Sequence, residues 1–326
     1  MRRREFIALL GGSVVTWPQL THAQQPAVPV VGFLGSASAS SFAPMVAAFQ
    51  DGLNQQGYAD GRNVTVEHHW AEGSYDRLPW FAADLVNRKV TAIVAAGAPA
   101  AQAAKDATTT IPIVFLSGVD PVRAGIVGTL NRSSGNITGV AILPKGLIAR
   151  QIELLHEVLP SATLIAVLVN RGNPNHLQEI ADTREARAPL GIKTAMLEAS
   201  TPRELNAAFA KARELQADAL VVGTDAFFNS ERREIAALAT RNRLPTIHQI
   251  REFATAGGLM SYGAKLVDAY RSVGLYTGRV LKGEKPADLP IQVITKFELI
   301  VNLKAAEALE IKIPKSVLAR ADEVIE

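Results

Sequence analysis

The sequence predicts an α/β protein made of two doubly wound lobes with parallel sheets. Short apolar runs rich in β-branched residues alternate with stretches of helical periodicity, which is typical of parallel sheets joined by right-handed crossovers. Four strands of the first half recur in the same order roughly 130 residues later, so two such lobes are expected. Small and polar residues follow the strands in both halves, where open α/β sheets place their binding residues.

Strands and helices alternate through both halves of the chain. Met45, Phe49 and Leu53 recur at helical spacing, and Thr201 with Glu204 forms a capping box at a helix start. We predict strands at Val30–Leu34, Val64–Glu67, Ala92–Ala96, Ile113–Leu116, Ile137–Ile142, Leu164–Val169, 192–197, Leu220–Val222 and Thr246–Gln249. We predict helices around 45–53 and at Tyr75–Lys89, Ala100–Ala107, Gly146–Leu159, 175–188, Asn229–Arg243 and Arg251–Ala256.

The residues after Gly258 form a third block that is too small to fold alone. This block has a predicted helix that runs to Leu281, strands at Leu289–Ile294 and Phe297–Val301, and a helix at Asn302–Leu309. Because it must pack on both lobes, we expect three crossings between them, near Val140–Pro144, Leu259–Gly263 and Leu289–Thr295. The predicted first lobe is 28–141 plus 262–289, and the second is 142–261 plus 290–326.

Residues 1–23 have the features of an export signal rather than of an uncleaved anchor. Arg2-Arg3-Arg4 is basic, a short apolar stretch begins at Phe6, and Thr21-His22-Ala23 is a small-residue cleavage site. Arg3-Arg4-Glu5-Phe6-Ile7 also resembles the twin-arginine export pattern. Other residues interrupt the apolar stretch well before the ~20 positions that a membrane span needs. We therefore expect cleavage after about Ala23 and export to the periplasm of a chain that does not span the membrane.

Composition and charge exclude several classes of function. The sequence has no cysteine, which excludes disulfides, thiolate metal sites, a cysteine nucleophile and a lipid-modified amino-terminal cysteine. The formal charge is +3, and it falls to +1 without the three arginines and Glu5 of residues 1–23. No basic stripe interleaved with aromatic residues remains, so nucleic acid is not an expected partner.

No common catalytic or nucleotide-binding motif is present. The sequence lacks G-x-S-x-G, G-x-x-x-x-G-K-[ST], G-x-G-x-x-G and H-E-x-x-H. His68 and His69 are neighbours on a predicted strand and point to opposite faces, which does not suit a shared metal ion. No catalytic residue, metal site or cofactor is predicted, and His248, near a strand end, is the histidine with a candidate place in a cleft.

Polar loops at the strand ends would converge on one cleft if the two lobes face each other. Helix amino termini in such a cleft suit a carboxylate, and Asp120 and Asp225 suit an ammonium or a hydroxyl group. The alternative is that each aspartate is only a helix cap and that Ser117 is only a turn residue. The candidate ligand-binding residues are Ser36, Ser38, Gly97, Ala98, Ser117, Asp120, Asn170, Asn173, Thr224, Asp225, His248 and Tyr262.

Short motifs shared with one family are spread over nearly all of the mature chain. They are Gly57-Tyr58 with Gly61-Arg62-Asn63-Val64, Trp70-Ala71-Glu72-Gly73, Gly118-Val119-Asp120-Pro121-Val122 with Ala124-Gly125, Gly135-Asn136-Ile137-Thr138-Gly139-Val140, Gly257-Gly258-Leu259-Met260-Ser261-Tyr262-Gly263 and Lys296-Phe297-Glu298-Leu299. Together they resemble the ABC-transporter substrate-binding family that includes the tryptophan- and tyrosine-binding lipoproteins of Gram-positive bacteria.

The resemblance implies a type I periplasmic-binding-protein fold with two lobes, three crossovers and a solute in the cleft. It also implies delivery of that solute to an ABC permease in the inner membrane, with a cytoplasmic ATPase. The sequence departs from the family pattern at 170–174, 224–226 and His248, all at the presumed ligand. The resemblance therefore does not extend to the identity of the solute.

The expected function is an exported solute-binding component of an ABC importer, which closes over a small organic solute that is amino-acid-like or carboxylate-bearing. We expect Asp120→Ala or Asp225→Ala to weaken binding and to leave the melting temperature of the unliganded protein nearly unchanged. Two other functions suit the same cleft: a module that signals ligand binding to a membrane receptor, and an enzyme in which His248 acts beside Asp225.

Overall fold

Two α/β lobes make up the described part of the protein, as the alternation of strands and helices predicts. The structure is a computed structural model, and it describes residues 28–131, 135–143, 146–173, 176–187 and 191–326. The predicted export signal at residues 1–23 lies outside these ranges. The strands pair in parallel in both sheets, apart from one antiparallel pair in the second.

The first lobe is a sheet of six strands in the order β11-β5-β4-β3-β1-β2, covered by helices on both faces. Phe33 and Val31 on one face pack against α1 and α10, while Ile93 and Phe115 on the other face pack against α2 and α3. Its elements are β1 Val30–Gly35, α1 Ala43–Gln55, β2 Thr65–Trp70, α2 Leu78–Asn87, β3 Ala92–Ala96, α3 Ala98–Ala107, β4 Ile113–Ser117, β5 Ile137–Ile142, α10 Leu266–Leu281 and β11 Gln292–Ile294.

The second lobe is a sheet of seven strands in the order β13-β12-β10-β9-β8-β6-β7. One face packs against α4, α11 and α12, and the other against α6 to α9. Its elements are α4 Leu147–Val158, β6 Leu164–Val169, α5 His176–Arg187, β7 Lys193–Glu198, α6 Pro202–Glu214, β8 Ala219–Val222, α7 Ala226–Ser230, α8 Arg232–Arg241, β9 Thr246–His248, α9 Arg251–Thr255, β10 Met260–Ala264, β12 Phe297–Asn302, α11 Leu303–Ala308, α12 Lys315–Leu318 and β13 Glu323–Ile325.

The third block of sequence crosses between the lobes, and strand pairing places its crossings slightly later than predicted. Strand β10 pairs with β9 and β12 of the second sheet, and its pairing with β12 continues as far as Ala264. The predicted boundary at residue 262 therefore falls in the middle of this strand. Strand β11 pairs with β5 of the first sheet, so 292–294 belongs to the first lobe and not to the second. The prediction failed here because pairing partners, and not local composition, decide which sheet a short strand joins.

Helix α10 is fixed to the first lobe by very close packing on α1. A Cβ atom on Gly52 would lie 2.1 Å from the Arg271 carbonyl oxygen, and one on Gly274 would lie 2.1 Å from the Phe49 carbonyl oxygen. Only glycine permits this approach of two helix backbones. The close contact secures to the first lobe a helix that follows directly on a strand of the second.

None of the described helices has the combination of length and apolar character that a bilayer crossing requires.

Candidate ligand-binding cleft

A cavity of about 90 Å³ lies between the lobes, at the carboxyl ends of their strands. The first lobe contributes the loops after β1, β3 and β4, and the second contributes the loops after β6, β8 and β9. This is where open α/β sheets place their ligands. The lining residues are Ser36, Ala37, Phe42, Tyr75, Ala96, Gly97, Ala98, Pro99, Leu116, Gly118, Val119, Ile142, Asn173, Thr224, Asp225, Ala226, Asn229, Gln249, Leu266 and Tyr270.

The two lobes touch around this cavity, so the cleft is closed. The Tyr75 hydroxyl of the first lobe donates to Asp225 Oδ2 of the second at 2.6 Å and accepts from the Ala226 N–H at 3.2 Å. At the rim, the Ser38 N–H donates to Ser230 Oγ at 3.1 Å. These contacts join the loop after β1 and the turn before α2 to the amino-terminal end and the last residue of α7.

Asp225 holds the second wall of the cleft together. Its Oδ1 accepts from Asn170 Nδ2 at 3.0 Å and from the N–H groups of Phe227 and Phe228 at 2.8 and 3.3 Å, which caps helix α7. Its Oδ2 accepts from Asn173 Nδ2 at 2.9 Å as well as from Tyr75. The carboxylate is therefore a helix cap and an inter-lobe acceptor at once.

The Tyr75 hydroxyl remains protonated when it makes this contact. Burial raises its pKa well above the ordinary value, and the negative charge of Asp225 raises it further. A protonated phenol is a donor, and Asp225 supplies the matching acceptor. The inter-lobe bond is thus retained across the neutral pH range.

Ser36 gives the first wall an unsatisfied polar group. Its side chain is 1% exposed, lines the cleft, and its Oγ has no hydrogen-bond partner. Gly97 lies beside it with φ of 115°, and a Cβ there would approach Ser36 Oγ to 2.7 Å. Gly97 thus lets the hydroxyl lie next to the first turn of α3, where the N–H groups of Ala98 and Ala100 have no acceptor within the helix.

The remaining wall of the cleft is apolar. Phe42, Leu116, Ile142 and Leu266 line it together with the ring of Tyr270. Burial raises the pKa of Tyr270, so its hydroxyl stays protonated beside the cavity. The cleft therefore offers hydrogen-bond donors at α3, a satisfied carboxylate at Asp225, and an apolar surface between them.

Residues 31–325 match the model of a protein family described as "ABC transporter substrate binding protein". The match covers nearly the whole described chain, including both walls of the cleft. This chain belongs to that family. A curated relative, the tyrosine-binding protein of Clostridioides difficile (strain R20291), is 27% identical over 264 residues, which is 81% of this chain and 76% of the relative.

This substrate-binding protein is similar to two solved structures, one of a liganded relative and one of a ligand-free relative. An ABC domain from Streptococcus pneumoniae in complex with L-Trp is 26% identical, with a TM-score of 0.83. The ligand-free, open structure of a substrate binding protein from Clostridium difficile is also 26% identical, with a TM-score of 0.63. Each comparison covers 91% of this chain and 99% of the other. The substrate-binding protein thus has the type I periplasmic-binding-protein fold, and its TM-score is higher against the structure with L-Trp than against the ligand-free, open structure.

Six of the predicted site residues line the cleft of the substrate-binding protein, and six do not. Those at the cavity are Ser36, Gly97, Ala98, Asn173, Thr224 and Asp225. Of the others, Asn170 lies behind Asp225 and supports it, and Ser38 lies at the rim against Ser230. Ser117, Asp120, His248 and Tyr262 are directed elsewhere by local contacts.

Ser117 and Asp120 are engaged as turn and cap residues and do not line the cavity. Ser117 Oγ donates to the Val119 carbonyl oxygen at 2.7 Å and is fully buried. Asp120 Oδ1 accepts from the N–H groups of Val122 and Arg123 at 2.9 and 3.3 Å. Both side chains are used by the local turn, which leaves the backbone at Gly118 and Val119 to line the cavity.

His248 and Tyr262 also face away from the cleft. His248 is fully buried, stacks on Phe253, and accepts the Ile250 N–H at 3.2 Å through Nδ1. Burial, with a smaller effect of Arg232, lowers its pKa to about 3. Tyr262 stacks on Phe297 and packs against the core of the second lobe. No hydrogen bond joins His248 to Asp225, whose acceptor contacts are all to other groups, so the pair proposed for an enzyme is not assembled.

Sequence reasoning missed several residues that line the cavity. Tyr75, Asn229, Gln249, Phe42 and Tyr270 were not among the predicted residues. Gln249 directly follows His248, so the prediction identified the correct strand end but named the residue next to the one that lines the cavity. Tyr75 sits in a 3₁₀ turn, Tyr75–Arg77, that precedes α2 where a continuous helix was predicted. Pro79 favours a helix start at Leu78, and this signal was available in the sequence.

Glu179 lies directly behind the cleft loop that contains Thr224. Its buried carboxyl group should make the free energy of unfolding depend on pH. It accepts the Thr224 N–H at 2.5 Å, and burial, reinforced by the charges of Asp225 and Asp182, raises its pKa to about 8. The folded protein therefore holds a proton that the unfolded chain releases above pH ~4.5. His248 has the opposite sign, but its contribution is confined to pH values below ~6.5. Between pH 6.5 and 8, the free energy of unfolding should therefore fall as pH rises.

The Glu179→Gln variant should remove this fall, because a glutamine keeps the acceptor for Thr224 and never ionises. We expect a slope of up to about 1.4 kcal/mol per pH unit in the parent protein and a flat profile in the variant. Urea midpoints at pH 6.5, 7.2 and 8 measure it. Glu153→Gln, which removes an exposed carboxylate from α4, is the control and should retain the slope. Equal slopes in the parent and Glu179→Gln would contradict the assignment.

Proposed function

We propose that this protein is the exported solute-binding component of an ABC importer. It closes its two lobes over a small organic solute, amino-acid-like or carboxylate-bearing, and delivers it to a permease in the inner membrane that is driven by a cytoplasmic ATPase. The observation that carries the proposal is the closed inter-lobe cleft with a buried, unpartnered Ser36 hydroxyl beside the start of α3. Membership of the substrate-binding family supports it, as do the relatives named for tyrosine and solved with L-Trp.

Closure can be driven by contacts that form only when the lobes meet. Moving a two-state equilibrium from 1:99 to 99:1 takes about 5.5 kcal/mol of differential binding, and one hydrogen bond to a charged group contributes roughly 1.5–3 kcal/mol. The Tyr75–Asp225 bond supplies part of this without a ligand. A solute held by Ser36 on one wall, and by Thr224 or Asn229 on the other, supplies the rest.

Export to the periplasm is part of the same proposal. The basic and apolar pattern of residues 1–23 supports a signal that is cleaved after about Ala23, with a twin-arginine character. A solute-binding component must reach the compartment in which the permease takes up its substrate. The three crossings between lobes give the exported chain the hinge that opening and closing require.

The Ser36→Ala variant tests whether the cleft binds a solute. A thermal-shift screen of amino acids, aromatic acids and small carboxylates should identify compounds that raise the melting temperature of the parent protein. We expect Ser36→Ala to weaken binding of such a compound by about tenfold or more, because the ligand loses a hydrogen bond. The melting temperature without ligand should be unchanged or slightly higher, since a buried hydroxyl without a partner is removed.

Ser117→Ala is the matched control. Ser117 is as buried as Ser36 and also lies at the carboxyl end of a strand of the first sheet, but its hydroxyl is bonded to Val119 and does not line the cleft. This variant should bind the compound with parental affinity and should lose some stability. A protein that no compound in the screen stabilises, or a Ser36→Ala variant with unchanged affinity, would refute the proposal.

A further inference from the structure

The carboxylate of Asp225 has no lone pair left for a ligand. Its two oxygens accept five hydrogen bonds, three on Oδ1 and two on Oδ2, and its side chain is buried with 2% exposed. An ionised carboxylate offers about four lone-pair directions. An ammonium group could therefore reach Oδ2 only by displacing Tyr75, and this would break the bond that joins the lobes.

No other group at the cavity can balance an ammonium charge. Among the described lining residues Asp225 is the only acid, and none is Lys, Arg or His. Glu179 lies behind Thr224 and does not line the cavity. Burial of a cation without a paired anion is strongly unfavourable. The closed cleft thus offers no favourable place for the α-ammonium group of an amino acid.

The opposite wall is suited to an anion. The Ser36 hydroxyl is buried, has no partner and lines the cavity, and it adjoins the first turn of α3, a helix of 10 residues. The N–H groups of that turn point out of the helix and carry its positive end. Gly97, with φ of 115°, keeps the space between the hydroxyl and the helix start free of a side chain. Pro99 has no N–H, and the Ala101 N–H is bonded to the Gly97 carbonyl oxygen. A carboxylate placed there can accept from the Ser36 hydroxyl and from the N–H groups of Ala98 and Ala100, and the positive end of the helix offsets its charge in place of a paired cation.

The size of the cavity limits the body of the ligand. The space between the lobes has a volume of about 90 Å³, which favours a small solute. Phe42, Leu116, Ile142, Leu266 and Tyr270 surround this space with apolar surface. This apolar surface suits a branched aliphatic chain or a single small ring.

We propose that the cleft takes a small monocarboxylate with a branched aliphatic or single-ring body and no ammonium group. The inference rests on the proposed function, since it names the class of solute that the same cleft binds. The carboxylate lies at Ser36 and the start of α3, and the apolar body faces Phe42 and Tyr270. Asp225 keeps its bond to Tyr75 and stabilises the closed form. It does not form an ion pair with the solute.

Matched pairs of compounds test the inference. Isothermal titration of the purified protein would compare 4-methylpentanoate with L-leucine and 3-methylbutanoate with L-valine, and the members of each pair differ only by the α-amino group. We expect each acid to bind at least tenfold more tightly than its amino acid. The neutral amide 4-methylpentanamide should bind at least tenfold more weakly than 4-methylpentanoate, because it lacks the negative charge that α3 favours.

The outcomes separate this inference from the proposed function. Tighter or equal binding of the amino acids, with Tyr75 and Asp225 intact, would overturn the inference and leave a solute-binding protein for amino acids. Equal binding of the amide and the acid would overturn the anion site at Ser36. Failure of every acid, amide and amino acid to bind would count against the proposed function itself.

Discussion

Replacing Tyr75 with phenylalanine should shift the unliganded protein from the closed to the open form. The Tyr75 hydroxyl donates to Asp225 across the cleft, and a hydrogen bond to a charged group contributes roughly 1.5–3 kcal/mol. The closing equilibrium should therefore fall by about 10- to 100-fold. Small-angle scattering should record a larger radius of gyration for Tyr75→Phe without ligand. The dissociation constant of any solute found in the screen should rise by up to the same factor, because affinity scales with the closed fraction.

Tyr276→Phe provides the control for this variant. Its hydroxyl donates to the Pro290 carbonyl oxygen at 2.9 Å within the third block and does not line the cleft. Tyr75→Phe and Tyr276→Phe each remove one tyrosine hydroxyl, and they differ only in where that hydroxyl lies. We expect parental scattering and parental affinity from Tyr276→Phe. If Tyr75→Phe also keeps the parental radius and affinity, the inter-lobe bond does not hold the cleft closed.

Asp225→Ala should destabilise the unliganded protein severely, in contrast to the nearly unchanged melting temperature that the sequence predicted. The substitution leaves the Asn170 amide, the first N–H groups of α7 and the Tyr75 hydroxyl without their acceptor, and it removes one of the acceptors of the Asn173 amide. Loss of a cap and of buried hydrogen-bond acceptors together costs on the order of 3 kcal/mol or more. For a protein of this size, the melting temperature should fall by roughly 6–12 °C.

Asp120→Ala should have a much smaller effect, because that side chain caps a surface turn only. Its loss should cost about 1 kcal/mol, with a melting-temperature change of roughly 2–4 °C and no change in ligand affinity. Calorimetry of both variants without ligand measures the difference. Similar melting temperatures for Asp225→Ala and the parent would show that Asp225 is free to act as a ligand group, as the sequence first suggested.

Local patterns predicted the elements of this fold well because each element repeats a simple periodicity. Strands β1, β3, β4, β5 and β6 begin and end within one residue of the predicted ranges. Predictions were less accurate where an element depends on tertiary pairing, as for β10 and β11. The region predicted as one helix at Asn229–Arg243 is two helices, because the Asp225 cap starts α7 at Ala226 and Glu231 separates it from α8.

Candidate site residues were located at the correct strand ends, but their side-chain directions were not predictable. Ser36 and Ser117 are both buried serines at the carboxyl ends of strands of the first sheet, and the sequence predicted the same role for both. Only the first is left without a partner and lines the cavity, because Ser117 Oγ is within reach of the Val119 carbonyl oxygen in its own turn. Local hydrogen bonds of serine and aspartate compete with ligand binding, and the turn geometry decides between them.

The sequence by itself determined the two-lobed α/β architecture, the three crossings and the convergence of strand ends on one cleft, since these depend on periodicities and turn residues that act locally. The tertiary structure alone decided which polar groups face the solute and which serve the protein. Tyr75 and Asp225 are 150 residues apart in sequence, and their 2.6 Å bond exists only because closure brings the lobes together. That contact satisfies Asp225, and it leaves Ser36 as the polar side chain of the first wall that is still available to a ligand.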